Sequence, residues 1–217
     1  MTNDTHNDPP NPVPPEVPPE APNHHGHHGG FSGLRGLVAA LSMTVGRGAN
    51  AAAAADLARV EATDRVVDIG CGPGTAVRRA ARRGAHATGV DPADVMLKVA
   101  RFLSRRDPAT YVQGMAEALP LPDGSVTVAW SLSAVHHWPE LDAGIAEVWR
   151  VLEPGGRFVV IEHRALPDAT GRASHGWTDE QAQAFAASIR SAGFTDVRVV
   201  HPDAGRRPPV AVVAVRP

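Results

Sequence analysis

Asp68, Gly70, Gly72, Gly74 and Asp91 are the residues whose types and spacing could do chemistry. The first four lie in "VVDIGCGPGTAVRRA" (Val66–Ala80), where three glycines fall within five residues directly behind a short apolar run. Asp91 closes the next apolar run, "HATGVD". Glycines at such a place let a ligand approach the backbone where a side chain would block it. A carboxylate at the tip of the following strand can accept both hydroxyls of a ribose. Together they point to a nucleotide-like ligand. A second group, His136 and His137 in "AVHHW", could supply a general base, because imidazole titrates near neutral pH. A cap or packing role beside Trp138 is the competing reading, and Glu162 and His163 are further candidates of the same kind. Cys71 sits inside the glycine loop with no candidate base near it in sequence, so it reads as a small packed residue rather than a nucleophile.

The elements that would position these residues alternate between two periods. "LRGLVAALSMTVG" (Leu34–Gly46) and "AAAAADLARVEA" (Ala51–Ala62) read as helices. "RVVDIG" is a strand that ends at the glycine loop, and Thr75–Arg83 is the helix behind it. His86–Asp91 is a second strand, followed by the helix "PADVMLKVARFLSRR" with Pro92 in its first turn. "ATYVQG" and Ser125–Ser133 give strands three and four. Leu141–Leu152 is a helix stopped by Pro154-Gly155-Gly156, "RFVVIEHR" a fifth strand and Thr178–Gly193 a capped helix. "DVRVV" and "VAVVAV" close the chain. Near-continuous Val/Ile strands alternating with helices predict an α/β fold with a parallel sheet covered on both faces. Only nine residues separate the last two strands, too few for a crossover helix, so that pair is predicted to be antiparallel.

In an open sheet of this kind ligands bind outside the carboxyl ends of the strands, where strand order reverses. A dinucleotide fingerprint needs G-x-G-x-x-G; here the loop is G-x-G-x-G and residue 75 is Thr. The glycines therefore lie in the turn itself, where the zwitterionic end of an amino acid could press against backbone amides. A nicotinamide dehydrogenase is the alternative enzyme reading, and a non-catalytic ligand-binding domain is a third.

From about Asp64 to Val215 the sequence resembles the class I S-adenosylmethionine-dependent methyltransferases, in the branch of small single-domain enzymes. "VVDIGCGPGT" is similar to the family's cofactor loop and "TGVDPADVML" to its ribose-binding strand end. "AEALPLPDGSVTVAWSLSAVHHW" resembles the adenine and fourth-strand block, and "EVWRVLEPGGRFVVIEH" the helix and fifth strand that follow. The resemblance implies a Rossmann-like, doubly wound seven-stranded sheet of order 3-2-1-4-5-7-6 with strand 7 antiparallel. It implies S-adenosylmethionine as methyl donor and a small-molecule acceptor. It implies a cofactor site built from Asp68, Gly70, Cys71, Gly72 and Gly74 at the methionine end, with Asp91 and Pro92 at the ribose. Met96, Met115, Ala116 and Glu117 would lie at the adenine, and Ser131 near the methionine end. The family often has an acid where this chain has Met115, so Glu117, a backbone carbonyl or packing alone must serve the adenine amino group.

Composition sets the remaining expectations. The chain has 217 residues and a formal charge of −2, enough for one domain and a tail. Met1–Gly30 holds eight of the twenty prolines and no Lys or Arg, and reads as a disordered tail. Residues 31–62 then read as a helical lid with an apolar wall, and 63–217 as the cofactor-binding core. Outside the tail, 21 basic residues stand against 19 acidic ones, with no basic block, so nucleic acid is not an expected partner. One cysteine and no membrane-length apolar run fit a cytoplasmic protein without a membrane partner. The "HHGHH" run (His24–His28) is flanked by glycines and is not preorganised for coordination, so no metal site is expected.

Overall fold

The computed structural model describes residues 47–166, 176–203 and 208–217. The strands are β1 (Arg65–Ile69), β2 (His86–Asp91), β3 (Ala109–Gln113), β4 (Val126–Leu132), β5 (Leu152–Glu162), β6 (Thr195–Val200) and β7 (Val210–Val215). The helices are α1 (Arg47–Leu57), α2 (Thr75–Ala81), α3 (Asp94–Leu103), α4 (Leu141–Val151) and α5 (Asp179–Ser191). One sheet runs β3-β2-β1-β4-β5-β7-β6. Its first five strands are parallel and β7 lies antiparallel to both β5 and β6. The predicted order and the closing antiparallel pair are both present. The Leu34–Gly46 helix, the Met1–Gly30 tail and the HHGHH run lie outside the described residues.

Alternation along the central strands sends side chains into two separate cores. Val67, Ile69, Phe158 and Val160 pack towards α4 and α5, together with Trp177 and Phe185. Val66, Val128, Trp130 and Ile161 pack the other way, against the alanines of α1 and α2 and Leu97 of α3. All of these strand residues are essentially without solvent contact, which is why their runs show no polar alternation.

Two element boundaries differ from the sequence expectation. Pro92 precedes α3 rather than entering its first turn, because the Asp91 carboxylate accepts the Ala93 N–H at 2.9 Å and closes a turn around the proline. Pro154-Gly155-Gly156 does not lie between helix and strand. Leu152 is already extended (φ −69°, ψ 140°) and the proline and glycines form a bulge inside β5, where pairing jumps from Val126–Leu152 to Val128–Arg157. The bulge is held by Arg216, whose carbonyl accepts the Gly155 N–H at 2.7 Å while its own N–H donates to Gly156 O at 2.9 Å.

The long connection between β3 and β4 is pinned from α4. Arg150 donates to Glu147, Asp123 and the carbonyls of Leu119 and Leu121, and Glu147 accepts the Leu119 N–H at 2.7 Å. Hydrogen bonding from Arg150 holds the Glu147 carboxyl below its ordinary value of 4.5, against a smaller opposing effect of burial. A carboxylate whose pKa is lower folded than unfolded stabilises the native state above the unfolded value, and that share is lost as pH falls through the folded value. Glu147→Gln should therefore lower the urea midpoint at pH 7, and the gap from wild type should shrink as the pH falls below the ordinary carboxyl value of 4.5. A gap that persists unchanged into acid would assign the loss to packing instead.

Candidate functional site

At the carboxyl end of β1 the chain turns through three left-handed residues, Gly70 (φ 74°), Gly72 (φ 50°) and Gly74 (φ 77°). What comes close to these glycines is the protein itself. A Cβ on Gly70 would lie 2.5 Å from Ala134 Cβ, and one on Gly74 would lie 2.4 Å from the Tyr111 hydroxyl. The loop also folds back on its neighbours. Gly70 and Cys71 N–H both donate to Val90 O (2.8 and 3.0 Å), and Gly74 N–H donates to Cys71 O. Gly72 N–H donates to Asp91 Oδ2 at 2.8 Å. The loop amides that were expected to meet the end of an amino acid are thus engaged internally.

Both aspartates stand where the sequence predicted them. Asp91 is 8 % exposed at the tip of β2, and each of its oxygens already accepts one backbone N–H. A carboxylate oxygen has two lone-pair directions, so a group of this type can accept more than one donor at each oxygen. Asp68, 3 % exposed, lies in β1 beside the loop. Burial, and then the negative charges of Asp68 and Asp91, push the Cys71 thiol well above its ordinary value. That thiol stays protonated and is no nucleophile.

The cleft above the loop is lined by Asn50, Ala51, Asp68, Thr75, Leu132 and Ser133, among others. Asn50, Thr75 and Ser133 were not singled out from sequence. Asn50 resembles any polar residue in an alanine-rich helix. Ser133 is betrayed only by backbone geometry, its φ of 54° being rare for a residue with a side chain. Its N–H donates to Ile161 O at 2.7 Å, which ties the end of β4 to β5.

A cleft at the switch point, with a buried carboxylate beside a glycine turn, is one observation; sequence similarity supplies the other. Residues 67–160 match the family model of a methyltransferase domain. Over these residues the chain is similar to methyltransferase domains. It is 39 % identical over 107 residues to the ubiquinone/menaquinone biosynthesis C-methyltransferase of Methylobacterium nodulans, a match covering 45 % of this chain and 41 % of that protein. The chain spans less than half the length of the first curated relatives it matches. Among solved structures, Haemonchus contortus phosphoethanolamine N-methyltransferase 2 in complex with S-adenosyl-L-methionine shares the fold (TM-score 0.65, 17 % identity, 77 % of this chain, 52 % of that one). So does the [4+2]-cyclase SpnF (TM-score 0.65, 20 % identity, 78 % and 81 %).

The remaining predicted residues divide into groups. Ser131 is fully buried, and its hydroxyl donates to Ile69 O at 2.9 Å, joining β4 to the end of β1. Glu117 turns towards the start of α4, accepting the Glu140 N–H at 3.3 Å. Met96 is buried beside Val99, Ala116 is buried and Met115 is half-exposed. Pro92 is exposed, and its carbonyl accepts from Gln113 Nε2 at 2.9 Å. His136 is buried with Glu162, Nδ1 to Oε2 at 2.9 Å, while Glu162 Oε1 accepts the Val135 N–H at 3.0 Å. The exposed His137 ring lies 4.0 Å from that of His136. Among the described residues no cluster of three or more His, Cys, Asp or Glu could hold a metal ion, and no helix is long and apolar enough to cross a membrane.

Cys71 should resist iodoacetamide in the native protein at pH 8 and react fully once the chain is unfolded in urea. Rapid native alkylation, followed by mass spectrometry, would show that the thiol is neither shielded nor protonated.

Proposed function

We propose that the protein transfers a methyl group from S-adenosylmethionine to a small-molecule acceptor. The observation that carries this reading is the pair of buried carboxylates, Asp68 and Asp91, flanking one glycine turn at the carboxyl ends of β1 and β2. Asp91, a carboxylate at the tip of β2, suits the two hydroxyls of a ribose, and Asp68 suits an ammonium group in the cleft that it lines. Met115 stands where the family often has an acid, so the adenine is held by packing and backbone contacts instead. S-adenosylmethionine supplies a methyl group already activated by its sulfonium, so no covalent enzyme intermediate is needed. The protein's own share is to align the acceptor and keep water out.

Where the acceptor must lose a proton, His137 and His136 are the candidate bases. Their roles differ by burial. His136 is clamped by Glu162, which also holds the Val135 N–H, so this pair fixes the turn Val135–His137 (a single 3-10 turn) after β4. His137, exposed on the same turn, can reach an acceptor. His137→Ala should lower turnover about 10²–10⁴-fold with cofactor affinity unchanged, whereas His136→Ala should mainly lower the melting temperature. Full turnover in His137→Ala would leave alignment as the only contribution.

The proposal is tested by calorimetry with S-adenosylhomocysteine and by transfer of a labelled methyl group into a panel of small molecules and cell extract. Binding together with a labelled low-mass product is the expected result. No binding would overturn the reading. Binding without transfer to any acceptor would favour a cofactor-binding domain with another task, a reading the shared fold of a cyclase keeps in view.

A further inference from the structure

We propose that the carboxyl-terminal end of α3 docks the protein onto the surface of an anionic lipid bilayer. Phe102 and Leu103 enter the headgroup layer, and the Lys and Arg side chains around them meet the anionic headgroups. This contact lies apart from the cleft and does not rest on its reading as a cofactor site. α3 starts behind Asp91 and runs for ten residues, Asp94–Leu103. At a rise of about 1.5 Å per residue its far end stands roughly 15 Å from the tip of β2.

Among the described residues four large apolar side chains are exposed, and two of them are chain neighbours, Phe102 at 59 % and Leu103 at 36 %. They close a helix that buries Met96, Leu97, Val99 and Ala100, so packing on the sheet does not account for them. The outward stripe at this end is Lys98, Arg101, Phe102 and Arg105, at the spacing of one helical face and all exposed. The Arg105 guanidinium lies 4.2 Å from the centre of the Phe102 ring, and Arg106 is exposed beside it. α2 adds to the same surface. Arg82 pairs with Asp107 at 2.9 Å, which holds the end of α2, with exposed Arg79 one turn back, against the turn that follows α3. Between Arg78 and Arg106 the chain has eight basic residues and two acidic ones, in a protein of net charge −2. In sequence these cations fall in short separate runs, and the packing of α2 beside α3 brings the runs together.

Cations set around protruding apolar side chains complement an anionic bilayer, which takes up both at once. A second copy of the chain would set the same cations against each other. A nucleic acid would use an open aromatic face for base stacking; here Arg105 lies over the Phe102 ring, and exposed Leu103 would gain nothing from a phosphate backbone. The expectation of no membrane partner rests on the lack of a spanning run, and a protein bound at the lipid surface needs no span.

Co-sedimentation of the full chain with vesicles tests the contact. The protein should partition onto vesicles of phosphatidylglycerol and phosphatidylcholine in equal parts, stay off pure phosphatidylcholine, and release as salt rises. Arg105→Ala with Arg106→Ala should weaken partitioning about 20- to 30-fold, roughly 5-fold for each cation removed. Phe102→Ala should weaken it about 5- to 10-fold through lost apolar burial. Both variants should keep the wild-type melting temperature, because these side chains are exposed. Arg190→Ala with Arg198→Ala, two exposed cations on α5 and on β6 at the opposite edge of the sheet, should bind vesicles like wild type. Failure to bind anionic vesicles, equal binding to pure phosphatidylcholine, or equal losses in the two double variants would each overturn the proposal. A 20-nucleotide RNA that binds and strips the protein from the vesicles would assign the patch to nucleic acid instead. Self-association in sedimentation velocity that Phe102→Ala abolishes would assign it to a second copy of the chain.

Discussion

The hydrogen bond from Gly72 N–H to the Asp91 carboxylate is the contact on which the site depends. It joins the glycine turn after β1 to the tip of β2, and the second oxygen of Asp91 reaches on to the start of α3 through Ala93. With Gly70 and Cys71 both drawn to Val90 O, the turn is folded onto its neighbouring strand before any ligand is considered. Such preorganisation means that a ligand need not bear the entropy of ordering the loop. The same geometry buries Cys71 beside two negative charges, and burial first, then those charges, push its thiol up.

The sheet separates two kinds of polar chemistry. Asn50, Asp68 and the glycine turn share the face covered by α1 and α2, where the cleft opens. Glu162 follows Phe158 and Val160 in alternation and so belongs with the core under α4 and α5, where it clamps His136 and the Val135 N–H. A buried carboxylate with two partners holds the chain leaving β4 in a defined path. Ser133, in its left-handed conformation, and the exposed His137 are carried on that path. The clamp thereby shapes the rim of the cleft from beneath.

Strand order, the closing antiparallel pair and the positions of Asp68 and Asp91 were legible in the sequence, because burial on both faces and turn chemistry leave local marks. Which groups the loop amides face was not legible. Val90 and Asp91 reach the turn only through the parallel pairing of β1 and β2, a contact no local pattern encodes. Ser131 and Glu117 show the same limit. Each meets a backbone group brought to it by another element, Ile69 O for Ser131 and the Glu140 N–H for Glu117, and no local pattern encodes that contact. The bulge at Pro154-Gly155-Gly156 was read as a helix stop because turn residues inside a strand look the same until a partner, here Arg216, appears.

A crystal structure of the protein soaked with S-adenosylhomocysteine tests the central claim most directly. The account predicts both ribose hydroxyls on the Asp91 carboxylate, with the Gly72 and Ala93 N–H bonds kept and the loop backbone unmoved. A ligand seated elsewhere, or a loop that must release Asp91 to admit it, would contradict the account.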